Sequence, residues 1–154
     1  MFFIMMSQIN FIMKNHYYNT KICAAFCGTG KSYLCNNFPN EYIEIECWNY
    51  RQGDFPNNYV DDVVDAIGKT KYIFISTDTL ILKELNKRGY EINLYYPENE
   101  LRNEYLDRFL HRNSPHDFIG AIMKYWNVWL NELKEQHYCN HNVLQTGEYL
   151  QNIL

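Results

Sequence analysis

Between Lys21 and Leu144, short apolar runs alternate with segments whose apolar residues recur every three or four positions. That alternation predicts strands alternating with helices, the pattern of a parallel sheet flanked by helices. Lys21 to Phe26 reads as a first strand, and Lys31 to Asn37 begins the first helix. Tyr42 to Glu46 reads as a second strand, with Ile43 and Ile45 on one face and Glu44 and Glu46 on the other. Pro56 opens a helix carrying Val60, Val63, Val64 and Ile67, which Gly68 closes. The nearly all-apolar run Tyr72 to Ser76 is expected to be a central strand buried on both faces. Asp78 or Thr77 caps a helix through Leu82 and Leu85 that ends at Lys87, Arg88 and Gly89.

Ile92 to Tyr96 gives a fourth strand, ended by Pro97, and Glu98 to Asn113 is helical through Leu101, Tyr105 and Phe109. Ser114-Pro115-His116-Asp117 reads as a helix start, with Ser114 as cap and Pro115 at the first position. Its helix aligns Ile119, Ile122, Trp126, Leu130 and Leu133 on one stripe. Asn142 to Leu144 supplies a short fifth strand before a closing helical turn. The expected fold class is α/β: one three-layer domain with a mostly parallel sheet of about five strands.

Length changes this picture little, since 154 residues suffice for one compact domain, 1–154, with residues 1–19 as a candidate N-terminal extension. Acidic residues outnumber basic ones, 18 to 14, and no dense basic run occurs, so extended nucleic acid is not an expected partner. Five cysteines without CxxC pairing read as reduced, cytoplasmic thiols. His137-Tyr-Cys139-Asn-His141 lacks a second ligand pair at zinc spacing and reads as ordinary loop. The leader MFFIMMSQINFIM has no basic segment before it, is interrupted by Ser7, Gln8 and Asn10, and is too short to span a bilayer. Secretion and membrane insertion are therefore not expected, and Met13 leaves the leader as either a mis-assigned start or a packed extension.

Candidate chemistry begins at AAFCGTGKSYL, Ala24 to Leu34. The phosphate-loop (Walker A) pattern is GxxxxGK[ST], and positions 25 to 32 read Ala-Phe-Cys-Gly-Thr-Gly-Lys-Ser. That chemistry needs inward-pointing backbone N–H groups, a lysine for the β and γ phosphates, and a hydroxyl for Mg²⁺. Cys27, Gly28, Thr29, Gly30, Lys31, Ser32 and Tyr33 are the residues expected around the phosphates of ATP, with Ser32 holding the metal. Ala25 replaces the first glycine, a change tolerable wherever φ stays negative.

Ligands of a parallel sheet gather beyond the carboxyl ends of its strands. Glu46 there is either an acid that orients an acceptor or a metal-bound water, or a solvent-facing residue on an edge strand. Asp78 is either a second carboxylate near Mg²⁺ or a helix cap, the cap being favoured. Arg108 and Arg112 share a helical face and are candidates to close over a transferring phosphoryl group, against a merely solvated face; Arg102 stays undecided. Trp48, Tyr50 and Arg51 mark a candidate acceptor pocket, against rim packing.

With FCGTGKSYL, an acid-ended second strand and YYPENELRNEYLDRFLHRN before a tryptophan-rich helix, the chain resembles the small P-loop kinase superfamily of nucleoside monophosphate kinases and shikimate kinase. It is similar in particular to small P-loop proteins of viruses, phages and bacteria, which would place it in the host cytoplasm if viral. The resemblance runs from about Lys21 to the C-terminus and implies a parallel sheet in the order 2-3-1-4-5, ATP as donor with Mg²⁺, and a lid of arginines. Gly28, Gly30, Lys31 and Ser32 match the loop, Glu46 stands near the place of an acceptor-side acid, and Arg108 and Arg112 match the lid by location. The glycine-proline-arginine signature of many nucleotide kinases is absent, since this stretch reads ISTDTLIL. The expectation is an ATP-dependent phosphotransferase, catalytic through Lys31, Glu46, Arg108 and Arg112, acting on a small, nucleotide-like acceptor. The alternatives are a nucleotide-binding or NTP-hydrolysing module without an acceptor, and a scaffold retaining an ancestral loop.

Overall fold

The computed structural model describes residues 18–154, so the apolar leader lies outside the described residues. Five strands form one all-parallel sheet in the order β2-β3-β1-β4-β5: β1 (Lys21–Ala25), β2 (Tyr42–Glu44), β3 (Tyr72–Ile75), β4 (Asn93–Pro97) and β5 (Asn140–Leu144). The helices are α1 (Lys31–Asn37), α2 (Asn57–Ala66), α3 (Thr79–Lys87), α4 (Arg102–His111), α5 (His116–Lys134) and α6 (Leu150–Ile153). Short 3₁₀ turns at Trp48–Tyr50 and Asn99–Leu101 complete the described chain.

Alternation along β1 separates two cores. Ile22, Ala24 and Phe26 join Val60, Val63, Leu82, Leu85 and Trp126 on the face covered by α2, α3, α4 and α5. Cys23 and Ala25 join Leu34 of α1, Leu150 of α6, Phe74 and Tyr95 on the opposite face. Helices thus flank both faces, as the apolar runs of β1 and β3 require of strands with no wet side. The register sets Ala24 beside Ile75 and Ala25 beside Tyr95, which holds the carboxyl end of β1 between β3 and β4. Behind that end Trp126 meets Phe26 edge-on with ring centroids 5.6 Å apart, and its indole N–H donates to the Asn99 carbonyl at 2.8 Å. Among the described residues, no helix is long and apolar enough to cross a membrane.

Differences from the sequence pattern fall at element ends. The outermost strand β2 stops at Glu44 rather than Glu46: the Ile45 amide still donates to the Phe74 carbonyl at 3.0 Å, and the chain then turns into the Trp48–Tyr50 helix. β5 starts at Asn140, two polar residues earlier than apolar patterning reveals. His141 within it is held on both ring nitrogens: Nε2 donates to the Gln136 carbonyl, which leaves Nδ1 to accept from the Tyr96 hydroxyl, each at 2.8 Å. Ser114 does not cap α5, because its hydroxyl accepts from Arg112 Nε at 2.8 Å, and Pro115 occupies the cap position itself.

Asp78 does cap α3, its Oδ1 accepting from the Leu80 amide at 2.9 Å while Oδ2 accepts from Arg51 at 2.6 Å. Both carboxylate oxygens therefore serve the fold. Replacing Asp78 by alanine should cost about 1 kcal/mol, read as a melting temperature lowered by ~3 °C. A loss of more than tenfold in nucleotide affinity in the same variant would instead place this carboxylate in the binding site.

Candidate functional site

β1 delivers the chain into a loop that reverses over the amino end of α1, and glycine is required at two of its positions. Gly28 has φ 79° and Gly30 φ 101°, left-handed values that a Cβ disfavours. Space is also closed there: a Cβ on Gly28 would stand 3.0 Å from Tyr105 and Phe109 carbon atoms, and one on Gly30 would stand 3.3 Å from the Tyr149 ring. Ala25, by contrast, lies buried at the end of β1 with no positive φ, so alanine fits where the motif usually has glycine.

Loop carbonyls are taken up one after another by the protein. The Phe26 carbonyl accepts from the buried Thr29 hydroxyl at 2.7 Å, that of Gly28 from Arg108 at 2.9 Å, that of Thr29 from the Leu150 amide at 2.9 Å, and that of Gly30 from the Leu34 amide at 3.4 Å. Among the described residues, no backbone carbonyl accepts from the amides of Gly28, Thr29, Gly30, Lys31 or Ser32. A run of successive amides without backbone acceptors, spanning two glycines at positive φ, is the arrangement that binds anions.

Lys31 extends from the first position of α1, its ammonium donating to the Ala25 carbonyl at 3.0 Å and lying 3.3 Å from Glu44 Oε1. Cys27, Gly28, Gly30, Lys31, Ser32 and Tyr33 all line a cavity of about 960 Å³, with Glu44, Glu46, Arg108 and Arg112 on its other walls. The predicted loop residues are thereby brought together with the acid at 46 and both predicted arginines. Thr29 instead sits behind the loop as an internal brace. Asp78 lines a separate cavity of about 350 Å³ with Arg51, Thr77 and Trp129, so it does not share a wall with Ser32.

The two arginines differ. Arg108 is only 10 % exposed and held between aromatic faces, 4.4 Å from the Tyr105 centroid and 3.8 Å from that of Tyr149. Its guanidinium donates to the Gly28 and Glu148 carbonyls, each at 2.9 Å, and to Glu104 at 3.2 Å. Arg108 therefore ties α4 and the C-terminal segment to the loop. Arg112 is exposed, gives Nε to Ser114, and lies 4.9 Å from the Phe109 centroid with no carboxylate partner among the described residues.

Trp48 is 69 % exposed, donates its indole N–H to Glu46 at 2.7 Å, and does not line the cavity. Tyr50 bonds Asp62 at 2.6 Å and Arg51 bonds Asp78, and neither lines the cavity at the glycine-rich loop. Residues missed in the sequence are Glu44, Glu104 and Tyr149. Glu44 was detectable, since the two-residue period sets it on the face of Glu46; Tyr149 was not, because the contact joins chain ends 119 positions apart, counted from Gly30.

Burial raises the Cys27 thiol to about 11, although Lys31 and Arg112 both lie close enough to favour the thiolate. At pH 7.5 only ~10⁻³ to 10⁻⁴ of this thiol is ionised, so alkylation mapped by mass spectrometry should be slow. Its rate should rise about tenfold per pH unit towards pH 10. Rapid, pH-independent labelling at pH 7 would show a solvated thiolate in its place.

A scan against protein-family models finds no match, and a search of curated proteins finds no relative.

Proposed function

We propose that residues 25–32 are a working phosphate loop of the P-loop class, and that the protein transfers the γ-phosphoryl group of ATP to a small acceptor. The observation that carries this reading is the run of amides from Gly28 to Ser32 beside Lys31, opening on a cavity whose opposite walls bear carboxylates and an unpaired guanidinium. Amides and Lys31 would hold the triphosphate oxygens, and Arg112 would meet charge on the transferring group.

Glu44 is the group best placed to accept the acceptor's proton. In the absence of ligand its carboxylate is neutralised by Lys31. Phosphates that draw the Lys31 ammonium away would release the Glu44 carboxylate to accept a hydrogen bond from the acceptor hydroxyl. The acceptor oxygen then bonds to the γ phosphorus, the bond from that phosphorus to the β–γ bridging oxygen breaks, the proton passes to Glu44, and ADP leaves.

Among the described residues no cluster of three or more acids, histidines or cysteines is arranged to hold a metal by itself. That fits Mg²⁺ of a nucleotide site, which takes one or two protein oxygens and completes its shell with phosphates and water. Ser32, exposed on the cavity wall, would supply a hydroxyl, with Glu46 within the same cavity. When bound, the ion would neutralise charge on the β and γ phosphates.

The test is incubation with γ-labelled ATP, Mg²⁺ and a panel of nucleosides, nucleotides and hydroxylated metabolites. Labelled acceptor that depends on Lys31 supports transfer. Lys31-dependent release of inorganic phosphate, equal with and without every acceptor, would make the protein a hydrolase.

A further inference from the structure

On the α4 wall of the cavity the acids Glu104 and Asp107 stand among Arg108, His111 and Arg112, whereas the β2 side carries acids alone, Glu44 and Glu46. Among the described lining residues, the cations other than histidine are Lys31, Arg108 and Arg112. Lys31 belongs to the loop, and Arg108 is consumed by the Gly28 and Glu148 carbonyls and by Glu104. Arg112 lies 4.9 Å from the centroid of the Phe109 ring, and that ring packs against Gly28, which sets this guanidinium at the loop end of the cavity. Around β2 the lining is anionic: Glu44, and Glu46, whose partner among the described residues is the neutral indole N–H of Trp48. Arg51, the nearest arginine in sequence, is turned away onto Asp78 and the Phe55 ring.

Resting on the transferase reading, we infer that the acceptor is a hydroxyl-bearing molecule without a phosphate or carboxylate of its own, neutral or cationic, bound against Glu44 and Glu46. An acceptor bearing its own phosphate needs cationic donors to replace lost hydration, and like charge at the binding wall opposes it. Among the described lining residues, Lys31 and Arg112 are spent on the donor phosphates and Arg108 on the loop itself. A neutral or cationic polyol instead finds two carboxylates as hydrogen-bond acceptors, one of which takes its proton. A cavity of about 960 Å³ is at the upper end of ordinary ligand pockets, leaving room for such a molecule beside a triphosphate.

Matched pairs test this: nucleosides against their 5′-monophosphates, and free sugars against sugar phosphates, with Mg-ATP and the full chain. The expected result is kcat/KM at least tenfold higher for the unphosphorylated member of the pairs that react. Glu46→Lys should narrow that ratio at least tenfold, with Glu46→Gln intermediate. Preference for the phosphorylated member, or a ratio unmoved by Glu46→Lys, overturns the acceptor assignment while leaving phosphoryl transfer standing. Lys31-dependent ATP binding by calorimetry without transfer to any pair overturns both.

Discussion

Replacing Lys31 by alanine is expected to reduce phosphoryl transfer from ATP by roughly 10²- to 10³-fold, the loss typical for one charge-stabilising donor removed from a preorganised site. Among the described residues the ammonium is the side-chain cation at the start of α1, and it reaches back over the loop to the Ala25 carbonyl. Without it the amides of Gly28 to Ser32 remain, but the β and γ phosphates lose their point charge. The variant also frees Glu44 permanently, so a hydrolysis or transfer rate that depended on that base alone would survive. The fold should hold, because the Lys31–Glu44 pair is partly solvated and such pairs contribute about 1 kcal/mol or less. A single-turnover assay with labelled ATP, run beside a thermal melt, separates the two effects. Wild-type transfer by a folded variant would remove Lys31 from the chemistry.

Arg108→Ala is expected to damage both stability and turnover. The guanidinium bonds the Gly28 and Glu148 carbonyls and Glu104 while lying between the rings of Tyr105 and Tyr149. Its removal leaves a loop carbonyl without its donor and an acid without its cation, for a cost of about 3 kcal/mol. The loop then loses its tie to α4, and a misplaced donor phosphate costs about 100-fold in rate. Arg108→Lys should rescue little, since an ammonium cannot address two carbonyls and a carboxylate in one plane or stack between rings. The decisive comparison is with Arg112→Ala. That substitution should lower the rate with little change in melting temperature, because Arg112 is exposed and, among the described residues, its guanidinium has Ser114 as hydrogen-bond partner and no carboxylate. A melting temperature for Arg108→Ala equal to wild type would show that the sandwich holds nothing.

The fold was legible because its signals are local. Apolar runs marked β1 and β3, and the spacing of Ile119, Ile122, Trp126, Leu130 and Leu133 marked α5, all of whose stripe is buried. Outer strands were read less well: β2 and β5 pair on one side only, so their ends carry polar residues such as Asn140 and His141 that break the pattern. The glycine-rich loop was legible since its motif spacing set glycines at 28 and 30, the two positions that take positive φ. Its surroundings were not. Whether Arg108 closes on a ligand or braces the loop depends on Tyr105, Tyr149 and Glu148, contacts that no spacing along α4 encodes. Trp48 stayed open between pocket and rim for a related reason, as an aromatic beside an acid reads the same whether it faces a cavity or solvent.

Calorimetric titration of the full chain with ATP, and separately with tripolyphosphate, in the presence of Mg²⁺ tests the central claim most directly. Recognition by the amides of Gly28 to Ser32 and by Lys31 predicts that both ligands bind wild type, that adenosine binds far more weakly, and that Lys31→Ala weakens both phosphates at least tenfold. Equal binding of ATP by wild type and Lys31→Ala, or no binding of either phosphate by wild type, would contradict it.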